Sequence, residues 1–182
     1  MRKMPIALMM IEMGILKEII GREVFVKFLL HNDDVIAYAW HYTEEKALNH
    51  LRRIMDYHLL KGSILSSRDL EEWLAERLRK VLIEGERFSL PEIEYKNKSV
   101  YIELTKVPHG KTITYGELSR RAGTRYHEML IALMRNPLQV LIPCHRLLTK
   151  KGTLMGFYPL GKEVKKRLLE MEGVHLGADG NE

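Results

Sequence analysis

The chain has 182 residues, 46% hydrophobic and 29% charged, with a formal net charge of +5. That composition excludes a disordered chain, and a single cysteine excludes both an intramolecular disulfide framework and a zinc site built on two thiolates of one chain. The basic surplus points to a polyanionic partner. No run approaches the ~20 apolar residues that span a bilayer.

Arg2 and Lys3 precede an apolar run, Ile6 to Ile11, but Glu12 and Lys17 interrupt it and no small-residue cleavage site follows. No targeting segment or membrane association is therefore expected, and the lone cysteine fits a reducing cytoplasm. Abundant Lys, Arg and Glu with one glutamine, Gln139, are compatible with a heat-adapted source. Ile6 to Glu12 reads as strand or helix. Two β-rich runs flank the turn cluster His31-Asn32-Asp33-Asp34, so residues 23–41 read as a hairpin. Residues 43–61 read as a helix capped by Thr43, with Gly62 as its stop. Asp69 and Glu72 resemble a second helix start, with an apolar face of Leu70, Trp73, Leu74, Leu78, Val81 and Leu82 ending at Gly85. His50 and His58 lack acidic or thiol partners at ligand spacing and read as surface or satisfied side chains. Residues 86–92 read as a linker. The expected organisation is α/β (α+β): a strand-rich N-terminal domain over residues 1–90, with an antiparallel sheet and helices, then a mostly helical domain over 91–182.

In the second half, Val100 to Val107 reads as a helix closed by Pro108-His109-Gly110. Thr114 and Glu117 form a capping box for a short helix ending near Arg121, and Ala122-Gly123-Thr124 makes a turn. Thr124 is expected to cap the next helix, Arg125 to Arg135. Two short helices joined this way make a helix-turn-helix, whose second helix opens with Arg125, Tyr126 and His127 at an electropositive end. The same shape is also an ordinary αα-corner. A final helix, Lys162 to Glu172, stops at Gly173, and the small, polar tail from Gly177 reads as frayed.

Val140-Leu141-Ile142-Pro143 leads into Cys144, and His145 follows it directly. A thiol becomes nucleophilic when an adjacent base or positive charge raises its thiolate fraction. His145 is a candidate base, Glu172 a candidate partner that fixes its tautomer, and Asn136 a candidate support for the backbone. The alternative is an inert core cysteine.

Taken together, Asn136-Pro137, Pro143-Cys144-His145-Arg146 and the segment from Pro108 to Leu118 (PHGKTITYGEL) closely resemble the O6-alkylguanine-DNA alkyltransferase family. The likeness is strong over residues 93–175 and only architectural before them. It implies direct, single-turnover transfer of an alkyl group from O6-alkylguanine, and from O4-alkylthymine, to Cys144. The partner implied is double-stranded DNA, held through the minor groove by a monomer, with the damaged base flipped out of the stack. In that scheme His145 accepts the thiol proton through water, Glu172 holds His145, Asn136 supports the loop, and Tyr115 assists flipping and protonates the departing guanine. The implied DNA contacts are Thr114, Tyr115, Arg125, Tyr126, His127 and Arg135. The implied pocket is Met134, Gln139, Pro143, Leu147, Tyr158 and Pro159. No cofactor and no metal are implied. Cys144 is accordingly expected to ionise readily and to face a cavity.

Three positions depart from the family pattern. His127 stands where an arginine usually fills the gap left by the flipped base, with Arg125 two residues earlier. Gln139 stands at a position that is proline in some members. Pro159, which has no amide hydrogen, follows Tyr158 in a loop that touches guanine O6. Two other readings stay open: a protein that binds and flags alkyl lesions without removing them, and a helix-turn-helix regulator with an inert thiol.

Overall fold

In the computed structural model, residues 14–177 are described. The expectations for Ile6 to Glu12 and for the tail after Gly177 fall outside them. Helix α1 (Lys17–Ile20) leads into the expected hairpin, β1 (Phe25–His31) and β2 (Asp34–His41), paired antiparallel with Lys27 opposite Ala39. Asn32 and Asp33 take φ of 49° and 64°. This left-handed pair suits short polar side chains and matches the twist of the two strands.

Helix α2 (Glu44–His58) starts as expected, the Thr43 hydroxyl accepting the Lys46 N–H at 3.2 Å. It stops earlier than Gly62, at Leu59, which adopts φ 55° with its side chain in solvent. Gly62 serves a different purpose. A Cβ there would lie 2.2 Å from the Leu30 carbonyl oxygen. Only glycine therefore lets β3 (Ser63–Leu65) come up beside β1, completing a sheet of order β2-β1-β3. Helix α3 (Arg68–Leu82) begins at Ser67, not Asp69, because the Ser67 hydroxyl accepts the Leu70 N–H at 3.1 Å.

The second half holds α4 (Lys98–Thr105), β4 (Ile113–Thr114), α5 (Tyr115–Ala122), α6 (Tyr126–Met134), a 3-10 turn at Cys144–Arg146, β5 (Leu147–Leu148) and α7 (Lys162–Met171). The Thr114 hydroxyl accepts the Glu117 N–H at 3.1 Å, and left-handed Gly123 closes α5. Thr124 does not cap α6: Arg125 occupies that place without a side-chain bond, while the Thr124 hydroxyl turns back to the Ala122 carbonyl.

The hairpin is buried on both faces. Leu29, Ala37 and Ala39 pack with Leu51 and Ile54 of α2. Val26, Phe28, Tyr38 and Trp40 belong instead to a larger cluster shared with Leu78, Tyr101, Leu141 and Leu168. Burial of each large apolar side chain contributes roughly 1.5–3 kcal/mol, so this shared cluster firmly joins the N-terminal hairpin to the second half. No helix among the described residues is long and apolar enough to cross a membrane.

His50 and His58 are buried, contrary to a surface reading. His58 is satisfied: Nδ1 accepts the Lys96 N–H at 3.0 Å and Nε2–H donates to the Arg135 carbonyl at 2.8 Å, tying α2 to the end of α6. His50 Nδ1 has no partner among the described residues, and its ring packs edge-on against Tyr158 at 5.0 Å. Burial lowers both imidazoles from 6.5 to about 4. Between those values the unfolded chain binds more protons than the folded one. Stability is therefore full above pH 6.5 and is lost as pH falls toward 4, by at most ~1.4 kcal/mol per unit for each group. His50→Phe keeps a ring and removes one titration. Its melting temperature should fall less than that of the wild type between about pH 7 and about pH 4.5; an equal fall would mean that His50 charges at no cost in the folded state.

Candidate active site

The loop before the cysteine is built around Asn136. Its Nδ2–H donates to the Ile142 carbonyl and its Oδ1 accepts the Leu138 N–H, both at 3.0 Å. Within that loop Val140 has φ 77° and is fully buried. A β-branched residue in the left-handed region stores ~1–3 kcal/mol of strain, and it persists where the surroundings over-determine it. After the 3-10 turn, β5 pairs in parallel with β4, Leu147 opposite Ile113 and Leu148 opposite Thr114. This pairing brings Tyr115, the first residue of α5, to the same cavity as Cys144.

His145, Arg146 and Glu172 come together in the interior. His145 Nε2–H donates to Glu172 Oε1 at 2.6 Å, which leaves Nδ1 as the acceptor atom. That Nδ1 is buried and has no partner among the described residues. Burial lowers the His145 pKa despite the carboxylate, so the ring rests neutral. Arg146 grips the other side of Glu172, with Nε–H to Oε1 at 2.9 Å and a terminal N–H to Oε2, and donates to the Val107 carbonyl at 2.8 Å. Burial alone raises the Glu172 carboxyl, but the His145 and Arg146 hydrogen bonds more than offset it and hold it below the usual carboxylate range.

Cys144 is 6% exposed and opens onto a cavity of about 460 Å³. Tyr115, Met134, Gln139, Tyr158 and Pro159 line it with the thiol, as do Leu130, Leu133, Met155 and Phe157. Pro143 and Leu147, expected in the pocket, do not line it; both are buried on either side of the Cys144 turn. The thiol faces a cavity as expected, yet it does not ionise readily at rest, because burial pushes its pKa up. Hydrogen bonds from Asn136, the Val140 backbone and Gln139, together with the charge on Lys165, pull it back down.

Lys165 is a residue the sequence reading missed. It lies wholly buried on α7, where Nζ donates to the Tyr115 hydroxyl at 2.8 Å, and burial lowers it from 10.5 to about 8. The available signal was its spacing. It falls three and four residues before Leu168 and Leu169 on the apolar face, where a lysine needs a partner.

Arg125, Tyr126 and His127 sit exposed together at the start of α6, and half-buried Thr114 caps α5. Arg135 lies at the other end of α6, half-buried, its carbonyl accepting from His58 and Tyr101.

Beside the deep thiol and the locked histidine–carboxylate pair stands a helix-turn-helix, the shape of a DNA-binding domain. Residues 96–174 match the DNA-binding domain of 6-O-methylguanine DNA methyltransferase. The chain is 33% identical over 165 residues to the methylated-DNA–protein-cysteine methyltransferase of Thermococcus gammatolerans, covering 85% of this chain and 91% of that one. It is 43% identical to the protein of the same name from Methanothermobacter thermautotrophicus over 83 residues, 46% of each chain. The crystal structure of the O6-methylguanine-DNA methyltransferase from the hyperthermophilic archaeon Pyrococcus kodakaraensis KOD1 superposes with a TM-score of 0.63 at 28% identity, covering 83% of this chain and 92% of that one. The chain belongs to the methylated-DNA–protein-cysteine methyltransferase family.

Two outcomes follow from the site's electrostatics. Glu172→Gln leaves the buried Arg146 charge uncompensated and should cost ~3–5 kcal/mol in chemical denaturation. Lys165→Met removes a positive charge that favours the thiolate. The pH midpoint of Cys144 alkylation by a small electrophile should then move up; a midpoint unmoved or lowered would deny Lys165 that influence.

Proposed function

We propose that this protein repairs alkylated duplex DNA by moving the alkyl group from O6 of guanine to Cys144, once per molecule. The observation that carries this reading is a thiol at the wall of a base-sized cavity, with Tyr115 on the same cavity and a neutral, carboxylate-locked histidine next to it in the chain. The Cys144 proton passes through a water to His145 Nδ1, and Glu172 stabilises the resulting imidazolium. The sulfur attacks the alkyl carbon, the S–C bond forms, and the C–O6 bond breaks with its electron pair going to the purine. The Tyr115 hydroxyl donates a proton to that leaving group. Lys165, with its pKa near 8 and its 2.8 Å bond to the Tyr115 oxygen, is suited to return a proton to the phenolate.

Duplex DNA is gripped by α5 and α6 from the minor groove. Arg125 meets phosphate at the start of α6, and His127 occupies the stack where the guanine leaves. A thioether is stable, so the reaction ends with S-alkylcysteine. The retained, cavity-facing cysteine favours transfer over lesion flagging.

Incubation with O6-methylguanine duplex should add about 14 Da to the intact protein, mapped to Cys144 and absent in Cys144→Ala. Tight lesion binding with no mass gain would assign the chain to lesion flagging instead. His127→Ala should slow repair; if it has no effect while Arg125→Ala abolishes repair, the two roles are exchanged.

A further inference from the structure

Gln139 is the chain's one glutamine, and all of its side-chain and carbonyl polar atoms are engaged. Its backbone carbonyl accepts the Tyr38 hydroxyl. Its Oε1 accepts the Trp40 Nε1–H at 2.5 Å, and its Nε2–H donates to the Tyr158 carbonyl at 2.7 Å. Tyr38 and Trp40 belong to β2 and are buried, and neither lines the cavity; Gln139 and Tyr158 do. Two more contacts from the N-terminal half reach the same wall. The Tyr42 hydroxyl donates to the Leu160 carbonyl at 2.5 Å, and the His50 ring packs on Tyr158.

Given alkyl transfer to Cys144 as proposed above, we infer that the N-terminal hairpin sets the width of the alkyl pocket, with Trp40 acting through Gln139 as a positioning residue for the Tyr158 wall. A buried amide bonded at both ends has one orientation, and losing either partner leaves a buried polar group unpaired. The wall is therefore held from behind, by a strand that never meets the lesion. On this inference a methyl group asks least of the space beside the sulfur, and a longer chain presses on the wall that the Trp40–Gln139–Tyr158 linkage holds. The hairpin thus discriminates between alkyl groups by size.

The test compares transfer rates from O6-methylguanine and O6-butylguanine duplexes, read by intact mass. Both reactions use the same thiol, so their ratio cancels any change in thiol reactivity. Trp40→Phe removes the indole N–H and should raise the butyl-to-methyl ratio roughly tenfold, the scale on which a pocket discriminates alkyl length. Gln139→Leu should raise it similarly, and the double variant should go no further than either single one. A ratio unchanged in Trp40→Phe, or effects that multiply in the double variant, would overturn the linkage. Tyr42→Phe, half-buried and at the far side of the wall, should raise the ratio in the same direction and decides the matter if a buried variant fails to fold. A wild type that accepts neither group removes the transfer reading and this inference with it. A wild type that accepts both, with a ratio insensitive to Trp40 and Tyr42, leaves transfer standing and removes only the hairpin's role.

Discussion

The Glu172 carboxylate is the constraint on which the site depends. It closes α7, sits wholly inside, and is shared by two consecutive residues of the cysteine turn, His145 and Arg146. Through Arg146 it also reaches the Val107 carbonyl, so the chain just after α4, the reactive turn and the last helix meet at one anion. A buried carboxylate is costly unless it is paired and hydrogen-bonded on both oxygens, and here both are used. The arrangement fixes the His145 ring by its Nε2–H and leaves Nδ1 without a partner among the described residues. Structure and chemistry share the same ion pair, so neither partner can be altered for one purpose alone.

What could be read in advance followed from local patterning. The hairpin and the helices α2, α5 and α7 were legible because caps, turn residues and apolar spacing act over a few positions. The unbroken apolar run Val35 to Trp40 also has a physical reason: β2 is covered on both faces. Strand β3 was hidden because three residues show no period, and the role of Gly62 depends on a carbonyl thirty-two positions away in the chain. The position of Cys144, His145, Tyr115, Gln139 and Tyr158 around one interior region was anticipated only through the family resemblance. Lys165 was obscured by its neighbours: Lys162, Lys166 and Arg167 make it look like one more surface cation, although its spacing places it on the apolar face with Leu168 and Leu169.

The N-terminal half is more than a support. Its hairpin presents the aliphatic Leu29, Ile36, Ala37 and Ala39 to α2 and large aromatics to the second half, so Tyr38 and Trp40 reach the loop between α6 and the cysteine turn. That loop is also where Val140 is strained. The Tyr38 N–H and hydroxyl bind the carbonyls of Pro137 and Gln139 on the N-terminal side of Val140, while Asn136 holds Ile142 beyond it. Strain confined between such anchors does not relax, and it holds the Val140 backbone where it favours the charged form of the thiol.

Burial sets two opposing demands on that sulfur. A dry cavity makes a thiolate a stronger nucleophile, yet the same dryness disfavours forming it. A permanent thiolate would answer the first demand and fail the second, since burial holds Cys144 protonated. The surrounding groups suit a charge that exists only while it is needed. In the transfer proposed above, the imidazolium formed at His145 would lie against Glu172, and the charge on Lys165 would favour the thiolate. Glu172 stays ionised because Arg146 holds it so. The thiolate is thus stabilised by charges already in place, and no reorganisation is required at the moment of reaction. A thiol kept protonated at rest is also shielded from stray oxidants, which attack the thiolate. For a protein whose cysteine is used once, that protection matters as much as the reactivity.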